Sequence, residues 1–358
     1  MPVFRTRSIS QLLVAAMATS IFAIGDAAVA TAAGENQSVA DFYKGKQMRF
    51  IIRSAPGGGF DTYSRLMARH IGRHIPGEPS IIPQNMVGAG SIRAANFVYN
   101  VAAKDGLTFA GINRSVPLAP LLGTTEKEQS QFDALKFGWV GSMNSAVSIG
   151  IAWAASGITK FDDLLTREVI VAAAAPASDS YVFAHILNNI VGTKLKIVSG
   201  YQGSTENYLA LERGEATGYM GTSYSSLKAT KPDWIRDKKV NILVQMSLNK
   251  DPDLPDVPLV MEFTKTEAQR QALELILAPQ QMGRPYMSTP DVPPERLKAL
   301  QVAFMDTMKD PAFVREAQKE TIDVDPMDGP AVLALLGKLY KSPPAVVQAA
   351  QKALRVAP

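Results

Sequence analysis

From residue 48 onward, short apolar runs that suit strands alternate with stretches repeating every three to four residues, which suit amphipathic helices. The run 48–53 predicts a strand. Over 61–75, Tyr63, Leu66, Met67, Ile71 and Ile75 fall on one helical face, while Arg65, Arg69 and Arg73 share another. Residues 80–86 read as a second strand. Gly88, Ala89 and Gly90 then turn the chain into a helix through Ile92, Ala95, Tyr99 and Ala102. Asp105-Gly106 marks a turn, and 107–112 is the next strand. This β-α-β-α-β order indicates a parallel sheet with helices on its faces.

The same order restarts at Phe137, with strands expected at 137–142, 148–152, 169–174, 195–198, 216–221 and 240–247. Helices begin near Ser178, Ser204 and Ser223. The last third reads as mostly helical. It holds 264–277, a helix opened by Pro293-Pro294, one capped by Asp310 with Pro311 behind it, and one striped by Val332, Leu335, Leu336 and Leu339. No low-complexity linker separates the blocks, so two intimately connected α/β lobes are expected. Residues 46–147 completed by 240–358 form lobe one and 148–239 form lobe two, the chain crossing near Asn144 and again near Val240. The terminal helices need a partner surface and are expected to pack back on lobe one.

The N-terminus changes the compartment. Arg5 and Arg7 precede apolar runs at 12–18 and 21–24, and Ala28-Val29-Ala30 is a small-residue cleavage site. Residues 1–30 read as a signal peptide cleaved near Ala30, with the mature protein exported. Ser10, Gln11, Thr19 and Ser20 interrupt the apolar stretch, which argues against a membrane anchor. The 358 residues contain no cysteine, so no disulfide is available and a real hydrophobic core is required. The net charge of +4 suits small acidic ligands, and no basic run marks a nucleic-acid surface. A monomer is expected.

Candidate chemistry centres on Ser54-Ala55-Pro56-Gly57-Gly58-Gly59-Phe60-Asp61-Thr62. Three glycines where a strand becomes a helix leave backbone N–H groups facing outward at a helix N-terminus, a setting for an anion. The Lys-Ser/Thr pair of a nucleotide loop is missing, which favours a carboxylate over a phosphate. A glycine-rich turn with no ligand fits the local pattern equally well. Two similar turns follow later strands, one holding Ser178, Asp179 and Ser180, the other Tyr201, Gly203, Ser204 and Thr205. Each serine taken alone fits simple helix capping. The functional argument is their recurrence after strands, because ligands of open α/β sheets bind at the carboxyl ends of strands.

Enzyme readings lack their parts. His70 and His74 are four apart without the glutamate of a zinc helix, and they read as a solvated face. Ser225 and Lys228 match S-x-x-K without its partner motifs, and 88–93 has Arg93 where a dinucleotide turn needs a third glycine. No catalytic residue, metal or cofactor is expected.

Four motifs occur in order: Pro56-Gly57-Gly58-Gly59-Phe60-Asp61, Gln84-Asn85-Met86-Val87-Gly88-Ala89-Gly90, Lys104-Asp105-Gly106-Leu107-Thr108 and Tyr201-Gln202-Gly203-Ser204. Together with Leu254-Pro255-Asp256-Val257-Pro258-Leu259 and Gly283-Arg284-Pro285, they resemble the periplasmic solute receptors of tripartite tricarboxylate transporters, the Bug-type receptors. The resemblance implies a two-lobed, type II periplasmic-binding-protein fold, with mixed, mostly parallel sheets flanked by helices and a ligand cleft between the lobes. It implies capture of a small carboxylate or dicarboxylate for the membrane subunits of a secondary transporter. A sensor subunit for a membrane kinase is the alternative. By position it assigns the ligand to Ser54, Gly57, Gly58, Gly59, Phe60 and Asp61 on one jaw. The other jaw would supply Gln202, Gly203, Ser204 and Thr205, with Ser178 and Asp179 between, and Tyr201 is a candidate from its own place at that turn. Two departures stand out. Met220-Gly221-Thr222 replaces a frequent Phe-Asp, and Arg53-Ser54 replaces an apolar or Pro-Phe pair.

Overall fold

A computed structural model describes residues 38–124 and 129–355. The export signature at 1–30 lies outside the described residues. The first sheet contains β1 (Gln47–Ile52), β2 (Ser80–Asn85), β3 (Thr108–Gly111) and β4 (Gly138–Ser142), joined late in the chain by β10 (Pro285–Ser288) and β11 (Met327–Asp328). The second contains β5 (Ser148–Trp153), β6 (Val169–Ala173), β7 (Leu195–Ser199), β8 (Gly218–Ser223) and β9 (Val240–Met246). Their orders are β11-β4-β10-β3-β1-β2 and β7-β6-β8-β5-β9. Within them β2-β1-β3 and β7-β6-β8 are parallel, while β10 and β5 run antiparallel to both of their neighbours. The sheets are therefore mixed and two-lobed, as the resemblance implied.

Three expectations need correction. Strand β9 pairs with β5 in the second sheet, so the chain returns to the first sheet after Met246 and not near Val240. Strand β8 begins two residues later than its apolar pattern suggested, because Gly218 and Gly221 hide the alternation. The last third also supplies β10 between β3 and β4, a strand too short and too proline-marked to read from sequence. Proline is tolerated there because it is the first residue of the strand.

Packing explains the arrangement. Phe50 of β1 stacks on Phe109 of β3 with centroids 4.2 Å apart, and Tyr286 of β10 lies 5.7 Å from Phe50. The helix Gly59–Ile71 covers this face with Tyr63, Leu66 and Met67, all fully buried. As expected, the helices Pro294–Lys309, Pro311–Lys319 and Gly329–Tyr340 pack back on the first lobe, where they bury Phe304, Phe313 and Leu336. The helix Pro344–Leu354 instead touches both lobes. Asn189 Nδ2 donates to the Ala353 carbonyl at 2.8 Å, and Gln351 Nε2 donates to the Leu121 carbonyl at 2.9 Å.

His70 and His74 do not form a solvated face. His70 is buried edge-on to Phe313, 5.5 Å between centroids, and its Nε2 meets Glu316. Arg73 and His74 both reach Asp310, which caps the helix Pro311–Lys319. The cluster clasps two helices together and is a packing feature.

Candidate functional site

The carboxyl ends of parallel strands from both sheets converge on one small cavity of about 50 Å3. Arg53 and Ser54 follow β1, Asn113 and Arg114 follow β3, Ala174 follows β6, and Ser226 lies just past β8. An outer cavity of about 310 Å3 shares Arg53, Ala174 and Gly203 with the inner one and is bordered by Tyr201.

The glycine turn is built by Asp61. Its carboxylate accepts from the Gly57 N–H at 2.9 Å, Arg65 Nε at 2.9 Å and Asn85 Nδ2 at 2.8 Å. Asn85 also donates to the Ser54 carbonyl at 2.7 Å, tying β2 to the turn. Gly57 has φ +78°, a left-handed conformation that glycine adopts without steric cost. The helix starts at Gly59, two residues earlier than its apolar face suggested, with Gly58 as N-cap. The Gly59 and Phe60 N–H groups thus open the helix with no acceptor behind them inside it. Asp61 is engaged in shaping the turn and does not line the cavity.

The opposing turn meets it closely. A methyl group on Gly58 would lie 3.1 Å from Ser204 Oγ and 3.3 Å from Thr205 Oγ1. Gly203, not Ser204, is the N-cap of the helix Ser204–Glu212, and no side chain caps it. Simple capping therefore does not account for Ser204, which lines the cavity. Ser178 does cap, accepting from the Tyr181 N–H at 3.4 Å, and lines the cavity as well. Tyr201 stands at the outer mouth with its hydroxyl donating to Glu215 at 3.3 Å.

Asp179 is committed to a partner across the cleft. Its carboxylate contacts Arg114 Nη2 at 2.5 Å and accepts from Ser115 Oγ at 2.5 Å. Arg114 also donates to Ser148 Oγ and the Gly283 carbonyl. The first-lobe loop after β3 is thus latched to the second-lobe helix Asp179–Ile186. Thr222 lines the cavity, with its hydroxyl bonded to Tyr208 at 2.7 Å.

Sequence reasoning gave no role to Asn113, Arg114, Asn207, Tyr219, Ser226 or Arg284, and noted Arg53 only as a departure. Arg53 sits over the Phe60 ring, with Cζ 3.7 Å from the centroid. Its Nε is buried without a hydrogen-bond partner, and burial pushes the guanidinium down to about 10, partly opposed by Asp179. Arg284 is fully buried. Its Nη2 donates to Ser226 Oγ at 2.6 Å, and burial lowers its pKa as well. The Ser54 hydroxyl is likewise buried without a partner, and the Asn207 side chain stands beside the Tyr219 hydroxyl in the same lining. The legible signal was an arginine one residue past an apolar run at β1, and another within 283–285.

Residues 65–350 match the family model described as the tripartite tricarboxylate transporter family receptor. The fold is similar to that of the periplasmic binding protein BugD, at 17% identity and a TM-score of 0.69, covering 87% of this chain and 98% of that one. It is also similar to MatC from Rhodopseudomonas palustris with bound malate, at 19% identity and a TM-score of 0.65, covering 86% and 99%. A second R. palustris protein, with adipate, gives 16%, 0.63, 85% and 97%. No curated protein sequence matches the chain. The matched span is well over half of the sequence, and the chain belongs to the tripartite tricarboxylate transporter receptor family.

Proposed function

We propose that the protein is an extracytoplasmic receptor that captures a small carboxylate or dicarboxylate and delivers it to the membrane subunits of a tripartite secondary transporter. One observation carries this reading. Arg53 Nε and Ser54 Oγ, both buried without partners, face a cavity whose lining carboxylate, Asp179, is already bound to Arg114. Buried donors are normally satisfied, so an unfilled set around a cavity points to a ligand that accepts hydrogen bonds. The helix N-terminus at Gly59 favours negative charge in the same place. The malate and adipate of the two R. palustris structures are acids of this kind. The work is conformational: a ligand touching both turns binds the shut form better and shifts the population toward it. No step consumes the ligand. The signature at 1–30 supports export to the periplasm.

A thermal-shift screen of organic acids tests the reading, because a ligand that binds only the folded state stabilises it by mass action. A carboxylate that raises the melting temperature in a concentration-dependent way is expected. A flat response to every organic acid, or stabilisation only by neutral compounds, would contradict it.

A further inference from the structure

The charges around the inner cavity do not balance. Arg53 and Arg114 line it, and Arg284 stands directly behind Ser226, against a single lining carboxylate, Asp179. Arg114 holds that carboxylate, and Asp61 is already taken by Arg65. Arg53 and Arg284 remain, and both lie against the same ring, with Cζ atoms 3.7 Å and 5.0 Å from the Phe60 centroid. The polar contacts of Arg284 are the Gly283 carbonyl and serine hydroxyls, none of them charged, and its guanidinium also lies 4.2 Å from the Tyr63 ring centroid. The tyrosines close by add no negative charge, since burial pushes Tyr219 and Tyr286 up and keeps both protonated. An aromatic face attracts a cation without neutralising it, and two like charges around one ring repel each other in a weakly screening interior. Buried charges are retained where something pairs them.

We propose that Arg53 is the specificity-determining residue of this site, selecting ligands that carry a second ionised carboxylate. The inference rests on the carboxylate-receptor reading and goes beyond it by naming the charge state and the residue that reads it. One carboxylate lies between the Gly59 N–H and the Ser204 hydroxyl. The other faces Arg53, which borders both the inner and the outer cavity and so stands where the second group of an extended molecule would point. A guanidinium fixed over a ring keeps its N–H edge free for bidentate pairing with a carboxylate.

The experiment is calorimetric titration of the full chain, wild type and Arg53→Gln, with saturated dicarboxylates from malonate to adipate and with their monoamides. Each pair keeps its length and loses one charge. The wild type is expected to prefer the best diacid over its monoamide by about tenfold or more. Arg53→Gln is expected to bring that ratio to within about threefold of unity by weakening the diacid alone. Arg53→Lys keeps the charge and should restore part of the preference. Ligand-free Arg53→Gln should melt no lower than wild type, because the substitution removes an unpaired charge. A preference that survives Arg53→Gln, or a wild type that does not distinguish diacid from monoamide, overturns this inference and leaves the receptor reading standing. So does a lower melting temperature with equal losses for both probes, which would make Arg53 a packing residue. A wild type that binds none of these acids but responds to another carboxylate in the thermal-shift screen also overturns this inference alone, and only a flat response to every organic acid overturns the receptor reading itself.

Discussion

At the scale of single residues, the two turns are complementary because one lacks side chains and the other offers hydroxyls. A methyl group on Gly59 would lie 2.6 Å from Ser226 Cβ, so Gly59→Ala forces the first-lobe turn away from the second lobe. Overpacking of this kind costs about 1–3 kcal/mol, so affinity for the best-binding acid should drop roughly ten- to a hundredfold. Titration calorimetry checks this; an unchanged affinity would mean that the turns do not need to touch. Ser204→Ala separates two roles. Loss of a charge-assisted bond would weaken binding by about 1.5–3 kcal/mol. Loss of a cap would instead lower stability by about 0.5–2 kcal/mol. Gly203 holds the cap position, so we expect weaker binding with an unchanged melting temperature. A purely thermal effect would return Ser204 to a structural role. The glycine turn after β1 and the helix start near Ser204 could be read from sequence because their backbone demands are local. The placement of Ser226, Arg53, Arg114 and Arg284 could not, since a side chain's surroundings depend on what the fold packs around it.

At the scale of elements, the clasp around Asp310 has a testable pH dependence. Burial alone would raise the Asp310 carboxyl. The Ala312 N–H, His74 and Arg73 outweigh it and hold the group far below the usual carboxylate range. A carboxyl depressed in the folded state contributes its full stabilisation above its unfolded value of about 4 and loses it as pH falls toward the folded value. Asp310→Asn should therefore melt lower than wild type near neutral pH, with the gap closing below about pH 4. Melting curves from neutral to acidic pH decide it, and a gap that stays constant with pH would place the effect in capping alone. The helices here were readable from punctuation, since Asp310-Pro311 is a cap followed by a preferred first residue. Strand β10 was not, because four residues held between two neighbours owe their conformation to the sheet and not to their own pattern.

For the whole molecule, two α/β blocks without a linker foretold two lobes, and the order of motifs foretold the family. The crossing points were harder to read. The return from the second sheet lies beyond β9, whose apolar pattern is the same whichever sheet receives it. Several contacts join the lobes across the cleft: Arg114 with Asp179, Arg284 with Ser226, and the close approach of Gly58 to Ser204. A ligand seated among these groups favours the shut arrangement by its differential affinity. Turning a 1:99 population into 99:1 takes about 5.5 kcal/mol of such preference. On the receptor reading, binding shuts the two lobes over an acid that leaves unchanged. Small-angle scattering with and without the best-binding acid, followed by recovery of that acid, tests it most directly. A smaller radius of gyration at saturation with the acid recovered intact is the expected result. An unchanged radius at saturation, or chemical conversion of the acid, would contradict it.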